Sequence, residues 1–176
     1  MVTEEGKTLQ AVRTAIKMEI DGREYYEKAS QKSGNELGRE LLRELAAEED
    51  IHRRKFEEIY DAVRQKKGWP VIALDADAGR KLRTVFSRAV KKISSSVKVL
   101  ATELDAVQKA MEMENKTYDF YQKQAVNAAY DAEKSFYQSL AAQERIHHQV
   151  LLDYHDYLTD PAGYFVKREH PSLDGG

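Results

Sequence analysis

The chain contains no cysteine. This absence excludes disulfides, cysteine-ligated zinc, iron–sulfur clusters and thiol catalysis within these residues, and it agrees with a reducing, cytoplasmic location. Only three prolines and nine glycines are present, mostly outside the periodic segments, which favours an all-α fold. No run of roughly 18 apolar residues occurs, and the N-terminus lacks a basic start followed by an apolar stretch, so neither a membrane span nor a signal peptide is expected.

The chain also has no large excess of positive or negative charge, because it contains 28 basic and 30 acidic residues. A balanced chain produces no global field that would favour nucleic acid or an anionic membrane, so neither partner is expected. The one local imbalance is residues 80–98, which hold seven lysines and arginines and no acid. This segment could bind an acidic electron donor, but we expect it to be an ordinary solvent-exposed surface.

Four long segments have the helical period, and they predict one domain over residues 1–176. They span about residues 8–30, 35–66, 101–128 and 131–158. Short turns join the first two and the last two, so hairpins are predicted at about 8–66 and 101–158. A crossover, 67–100, should contain a shorter helix at about 80–93. Pro161 and Gly163 should stop the fourth helix, and Tyr164 and Phe165 should pin the tail, 159–176, onto the bundle or a second subunit. One long crossover between helices 2 and 3 predicts the ferritin-like four-helix bundle.

The two hairpins are repeats of each other. A shift of 95 residues aligns residues 10–60 with 105–155 without gaps. Shared apolar positions would follow from any two amphipathic hairpins. Shared polar residues on the apolar faces would not, and they indicate an internal duplication; the pairs are Glu19/Glu114, Tyr26/Tyr121, Glu49/Glu144 and His52/His147.

The stretch "LAAEEDIH" places a carboxylate and an imidazole on the core face of helix 2. Glu49 follows Leu45 by four residues, and His52 lies three further on, so all three share one face. The adjacent Glu48, which aligns with Gln143, is expected to point off that face. The repeat in "LAAQERIH" gives Glu144 and His147 the same inward direction.

Helix geometry brings these inward polar residues to one level. Each inward Glu is about fifteen residues from its hairpin turn, or roughly 22 Å along the axis. Buried carboxylates without countercharge are costly, and two divalent or trivalent metal ions would neutralise them. Oxygen-rich sites with one His per metal suit iron or manganese better than structural zinc. A Glu from each of two helices and Glu-x-x-His from the other two is the ligand pattern of ferritin-like dinuclear carboxylate proteins.

The stretches "MEIDGREYYEKA", "LAAEEDIH", "MENKTYDFYQKQA" and "LAAQERIH" resemble rubrerythrin-type di-iron proteins of the ferritin-like superfamily, over about residues 8–158. The resemblance implies two iron ions (manganese or a mixed pair are alternatives), no haem, and peroxide reduction. The ligands it implies are Glu19, Glu49, His52, Glu114, Glu144 and His147. Glu49 and Glu144 would bridge the metals. Tyr26 and Tyr121 would donate hydrogen bonds to ligand carboxylates, the alternative being ordinary core tyrosines.

Two departures from the family pattern leave the activity open. Rubrerythrin proper carries a four-cysteine rubredoxin domain; without it, electrons must come from another protein, such as a rubredoxin-like donor. It also has a further Glu one turn after the helix-3 ligand, where this chain has Thr117, with Gly22 as its repeat mate. These small residues could leave positions open for peroxide or dioxygen. The six-residue set also resembles the ferroxidase centre of bacterioferritin.

Three functions therefore remain. The leading reading is a di-iron peroxidase, expected to be a homodimer. The first alternative is ferroxidase and iron storage, and the second is a non-catalytic metal-binding or interaction bundle.

Overall fold

In the computed structural model, residues 3–75, 77–92 and 101–169 are described, and within them the secondary structure is entirely helical. The helices are α1 (Glu4–Lys32), α2 (Glu36–Arg64), α3 (Ala78–Lys92), α4 (Ala101–Asn127), α5 (Asp131–Thr159) and α6 (Pro161–Glu169). The predicted all-α, ferritin-like architecture is confirmed. None of the helices in these described ranges is long and apolar enough to cross a membrane.

α1 packs against α2, and α4 packs against α5, as the two predicted hairpins require. The turn between α1 and α2 is closed by Asn35, whose side chain accepts a hydrogen bond of 2.8 Å from the Gly38 N–H and so caps α2. α1 ends at Lys32, and Ser33 is its C-cap residue. Because the connection between them is so short, α1 and α2 lie side by side and antiparallel.

A buried carboxylate, Glu103 at the start of α4, joins this turn to the rest of the bundle. Its Oε1 accepts hydrogen bonds from Ser33 Oγ and Tyr154 Oη, both at 2.5 Å, and from Asn35 Nδ2 at 3.1 Å. Its Oε2 accepts one from the Gly34 N–H at 3.2 Å. Both oxygens of this carboxylate are therefore satisfied by protein donors, as buried polar groups usually are.

The core is divided into two apolar clusters by a polar layer. The first apolar cluster takes Tyr26 from α1 and Leu45 from α2, together with Val107 of α4 and Leu151 of α5. The second apolar cluster takes its residues from the other end of the same four helices; among them are Val12, Phe56, Tyr121 and Leu140. In every one of these helices, the inward Glu or Glu-x-x-His lies between the residues of the two clusters.

The crossover runs along α2 and α5, as a ferritin-like connection should. The bounds of α3 agree closely with those of the helix predicted at about 80–93. Its Leu82, Val85 and Phe86 are buried. Among the basic residues of 80–98, Lys81 pairs with Glu44 of α2 at 2.7 Å, and Arg88 reaches Glu40 at 4.0 Å. These pairs on an exposed surface favour the reading as a solvated face; residues 93–98 lie outside the described part.

The prediction for the tail needs correction. Pro161 was expected only to stop the preceding helix, but it begins α6. Proline is well suited to the first helical position, where its missing N–H has no partner to lose, and Asp160 accepts a 2.9 Å hydrogen bond from the Gly163 N–H. Tyr164 packs edge-on against Phe86 and Tyr157, as the predicted pinning requires. The Phe165 side chain and residues 170–176 lie outside the described part.

Candidate metal centre

The six residues predicted as ligands meet in the polar layer between the two apolar clusters. Glu19 comes from α1 and Glu114 from α4, while α2 and α5 each supply a Glu and a His. All six side chains are buried, with at most 4 % of each residue exposed to solvent. The residues are Glu19, Glu49, His52, Glu114, Glu144 and His147. Four carboxylates and two imidazoles are thus removed from bulk water together.

Each imidazole turns its Nδ1 towards carboxylates of other helices. Nδ1 of His52 lies 3.4 Å from Glu19 Oε2 and 3.2 Å from Glu144 Oε1. The two rings themselves lie almost parallel, with centroids 5.6 Å apart and an interplanar angle of 13°. The Nδ1 edge is therefore the one that each ring offers to the polar layer.

The second imidazole, His147, has three carboxylates around its Nδ1. It lies 3.1 Å from Glu49 Oε1, 3.6 Å from Glu114 Oε2 and 3.7 Å from Glu144 Oε2. Among the described residues, no lysine or arginine nitrogen comes within 4.0 Å of these carboxylates. The imidazoles are their nearest possible cations.

Two groups of four residues have ligand atoms close enough to surround a metal ion, with all the atoms of a group within 4.8 Å of one another. One group is Glu19, Glu49, His52 and Glu144, and the other is Glu49, Glu114, Glu144 and His147. Glu49 and Glu144 belong to both. The two groups are related by the internal repeat, and each contains one imidazole and three carboxylates.

The donor atoms of this layer are left without hydrogen-bond partners, which is the test of whether metal ions fit. The buried atoms without partners include Nδ1 of both imidazoles and these carboxylate oxygens: Glu19 Oε2, Glu49 Oε1, Glu114 Oε2 and both oxygens of Glu144. Glu103, equally a buried carboxylate, has both oxygens satisfied. Unsatisfied buried oxygens that converge with imidazole nitrogens fit two divalent cations, whose charge balances four carboxylates.

The electrostatics of the protein without metal reflect this crowding. Burial raises the pKa of the Glu49 carboxyl well above its usual value, and the charges of Glu19 and Glu144 raise it further. Burial also raises the pKa of Glu114, and Glu144 adds to the effect. Burial alone would raise the pKa of Glu144 too, but the neighbouring imidazoles of His147 and His52 lower it. One carboxylate thus stays ionised while two neighbours resist ionisation.

The imidazoles respond in the opposite sense to their burial. Burial alone would lower the pKa of His52, but the charges of Glu19 and Glu144 raise it well above its usual value. The pKa of His147 is raised for the same reason, with Glu114 as the largest favourable contributor. Without metal, protons on the two rings therefore provide the positive charge of the layer.

Two tyrosines donate hydrogen bonds across the bundle. The Tyr26 hydroxyl, on α1, donates to Glu114 Oε1 on α4, and the Tyr121 hydroxyl, on α4, donates to Glu19 Oε1 on α1. Burial, followed by the charge of the accepting carboxylate, raises the pKa of both hydroxyls, so they remain protonated donors. The predicted contacts between these tyrosines and the inward carboxylates are present.

The positions one turn after Glu19 and Glu114 supply no further ligand. The Thr117 hydroxyl donates to the Met113 carbonyl of its own helix at 3.1 Å. Gly22 has no side chain, and a Cβ built there would lie 3.1 Å from Glu49 Oε2. The other histidines also stay outside: His148 and His155 belong to neither group, and His170 lies beyond the described residues.

One contact of this layer was missed from the sequence. His52 Nε2 lies 2.6 Å from Gln143 Oε1, and Gln143 Nε2 donates to the Asp75 carbonyl at 3.0 Å. Glu48, predicted to point off the core face, is nevertheless buried, with 4 % exposure, and so is its repeat mate Gln143, with 9 %. The crossover covers that side of α2 and α5. Glu48 and Gln143, two polar residues at the same repeat position, were the sequence signal that could have revealed this contact.

Comparison with protein families identifies the family of this chain. The family model described as rubrerythrin matches residues 10–154, which include most of each of the four long helices and all six candidate ligands. No rubredoxin domain is evident in these 176 residues. Comparison with curated proteins and with solved structures gave no significant match. The chain belongs to the rubrerythrin family of ferritin-like di-iron proteins.

Proposed function

We propose that this protein is a di-iron oxidoreductase that reduces hydrogen peroxide with electrons from a separate redox protein. The observation that carries the proposal is the convergence of unsatisfied carboxylate oxygens and imidazole nitrogens in two groups that share Glu49 and Glu144. Residues common to both groups are suited to bridge two metal ions. Glu19 and His52 would complete one coordination sphere, and Glu114 and His147 the other.

The chain's own residues would position and shield the chemistry. Bound ferrous iron would supply the electrons that reduce the peroxide. Tyr121 and Tyr26 hold Glu19 and Glu114 by one oxygen each and leave the other oxygen free for a metal. The apolar clusters on either side of the polar layer exclude bulk water, which strengthens electrostatic interactions inside it.

The balance of the reaction requires an external reductant. Reduction of one hydrogen peroxide molecule takes up two electrons and two protons, breaks the O–O bond and gives two molecules of water. The chain has no cysteine and so holds no iron–sulfur or rubredoxin-type centre of its own. We therefore propose a rubredoxin-like donor, a cytoplasmic location and a homodimeric assembly.

A second candidate function, ferroxidase with iron storage, is favoured by a different observation. Thr117 bonds its own helix and Gly22 has no side chain, so among the described residues the layer holds six candidate ligands in a symmetric arrangement. A symmetric set of six residues resembles the ferroxidase centre of bacterioferritin. Light scattering separates the assemblies, since a cage of about 24 subunits would support storage and a dimer the peroxidase.

The decisive experiment is anaerobic loading with ferrous iron, followed by rapid mixing with peroxide or with dioxygen. Fast oxidation by peroxide and slow oxidation by dioxygen supports the peroxidase, and the reverse order supports the ferroxidase. Metal analysis of the loaded protein checks the site itself. We expect two metal ions per chain, and we expect Glu144→Ala to lose about one of them while the exposed control Glu112→Ala keeps both. Full occupancy in Glu144→Ala would contradict the proposed centre.

A further inference from the structure

Gln143 lies between one of the two imidazoles and the crossover. It is on α5, next to Glu144 in sequence, and its amide is almost completely buried. The His52 ring is 2.6 Å from its Oε1 on one side, and the Asp75 carbonyl is 3.0 Å from its Nε2 on the other. A continuous set of hydrogen bonds therefore connects the polar layer to the segment that precedes α3.

The partners of Gln143 fix its orientation and the tautomer of the ring. Nδ1 of His52 faces the carboxylates of Glu19 and Glu144, so a metal-binding His52 must carry its hydrogen on Nε2. That N–H donates to Gln143 Oε1, and the amide N–H donates to the Asp75 carbonyl. A flipped amide would place two donors together at His52 and two acceptors together at Asp75. Only one arrangement satisfies all four groups.

In residues 3–75, 77–92 and 101–169, the other half of the internal repeat shows no such arrangement. The repeat mate of Gln143 is Glu48, and the repeat mate of His52 is His147. Nε2 of His147 is buried and has no hydrogen-bond partner among the described residues. The two imidazoles therefore present the same Nδ1 edge to the layer but differ in what holds the opposite edge.

We propose that Gln143 is a positioning residue that holds His52 in its metal-binding tautomer and makes the two metal positions unequal, so that the position next to His52 binds metal more tightly and fills first. The inference rests on the proposed dinuclear centre. Hydrogen-bond partners behind a ligating His typically contribute about 10- to 100-fold in metal affinity, because they fix the ring orientation and raise its basicity. Within the described part of the chain, the ring of His147 has no such partner.

The experiment is a calorimetric titration of the metal-free protein with cobalt(II), a probe that needs no anaerobic handling of iron. Wild type is expected to show two binding events of unequal affinity. Gln143→Met keeps the length of the side chain but removes both hydrogen bonds. We expect it to weaken the tighter event by about 10- to 100-fold and to leave the weaker one unchanged.

Two further variants separate positioning from packing. Gln143→Glu keeps an acceptor for the His52 Nε2–H but cannot donate to Asp75, so the tighter event should recover most of its affinity. Gln149→Met makes the same exchange at an exposed position of α5 and should match wild type. The Gln143→Glu measurement also remains informative if Gln143→Met fails to fold.

A spectroscopic readout identifies which ring is affected. In the cobalt-loaded protein, the Nε2–H of a ligating His gives a shifted proton resonance, and the hydrogen bond to Gln143 should protect that of His52 from exchange with solvent. One protected resonance in wild type, lost in Gln143→Met and present in Gln143→Glu, supports the inference. Two equal binding events in wild type, or a Gln143→Met profile identical to that of Gln149→Met, would overturn it. A wild type that binds no metal would instead refute the proposed centre.

Discussion

The hydroxyl of Tyr121 on α4 donates a hydrogen bond to the carboxylate of Glu19 on α1, and the internal repeat returns the same contact from Tyr26 to Glu114. The two contacts cross between the hairpins in opposite directions. Each one occupies a single carboxylate oxygen and leaves the other unsatisfied and directed into the polar layer. The tyrosines therefore connect the hairpins and orient the candidate ligands with the same hydrogen bond.

Removing either hydroxyl should weaken the centre. We expect Tyr121→Phe and Tyr26→Phe each to lower metal affinity by about 10- to 100-fold, because the carboxylate loses the donor that fixes its rotamer. Calorimetric titration of the metal-free variants measures the effect. Tyr118→Phe is the control, since it lies on α4 and its ring keeps the stacking contact with Arg145. Unchanged affinity in both site variants would show that the tyrosines act only in packing.

Gly22→Ala should separate stability from metal binding. Alanine is favoured over glycine inside a helix by about 1 kcal/mol, so the metal-free variant should gain up to that amount in free energy of unfolding. The new Cβ would lie 3.1 Å from Glu49 Oε2 and displace the end of that carboxylate by a few tenths of an ångström, so metal affinity should fall. Denaturant titration and calorimetry measure the two effects. Thr117→Ala, at the repeat position, should leave metal affinity at the wild-type value.

The same substitution at Gly38 should have the opposite effect on stability. A Cβ there would overlap Tyr154 Oη and Ser33 Oγ and would lie 2.7 Å from Glu103 Oε1. These atoms form the buried network around Glu103, and they cannot move apart without breaking hydrogen bonds. We expect Gly38→Ala to lose roughly 1–3 kcal/mol in free energy of unfolding, as overpacked sites usually do. A gain in stability by chemical denaturation would contradict the role of this network.

Stability of the metal-free protein should fall as pH rises. The pKa values of His52 and His147 lie above 6.5, and those of Glu49 and Glu114 above 4.5. In each case the folded state binds more protons than the unfolded state, so the free energy of unfolding decreases as pH rises through the range above these unfolded values. The lowered pKa of Glu144 has the opposite effect only below 4.5.

Metal should reverse this dependence, because its binding displaces the protons from the layer. Thermal unfolding between about pH 5 and about pH 8, with and without manganese(II), checks both parts. The melting temperature without metal should decrease with pH, and the difference between loaded and metal-free protein should increase. A metal-free melting temperature that rises over this range would contradict the assigned charges.

Much of the candidate centre could be predicted from the sequence because the duplication tests each position twice. Glu49 was separated from its neighbour Glu48 by comparison with Glu144, and the heights of the inward carboxylates followed from helix rise alone. α6 was missed because a proline after a helix was taken only as a stop signal. Gln143 was missed because helical periodicity assigns a face without showing what else covers it.

The sequence by itself determined the four long helices, their pairing as hairpins and the inward direction of the carboxylates and imidazoles, since these depend on local periodicity and on short turns. Only the tertiary structure decided which atoms meet. It turned Nδ1 of each His towards carboxylates of other helices, gave each tyrosine an acceptor in the opposite hairpin, and placed the crossover against one side of the layer. A repeated sequence makes both halves alike, but among the described residues only the His52 ring is linked, through Gln143, to the crossover.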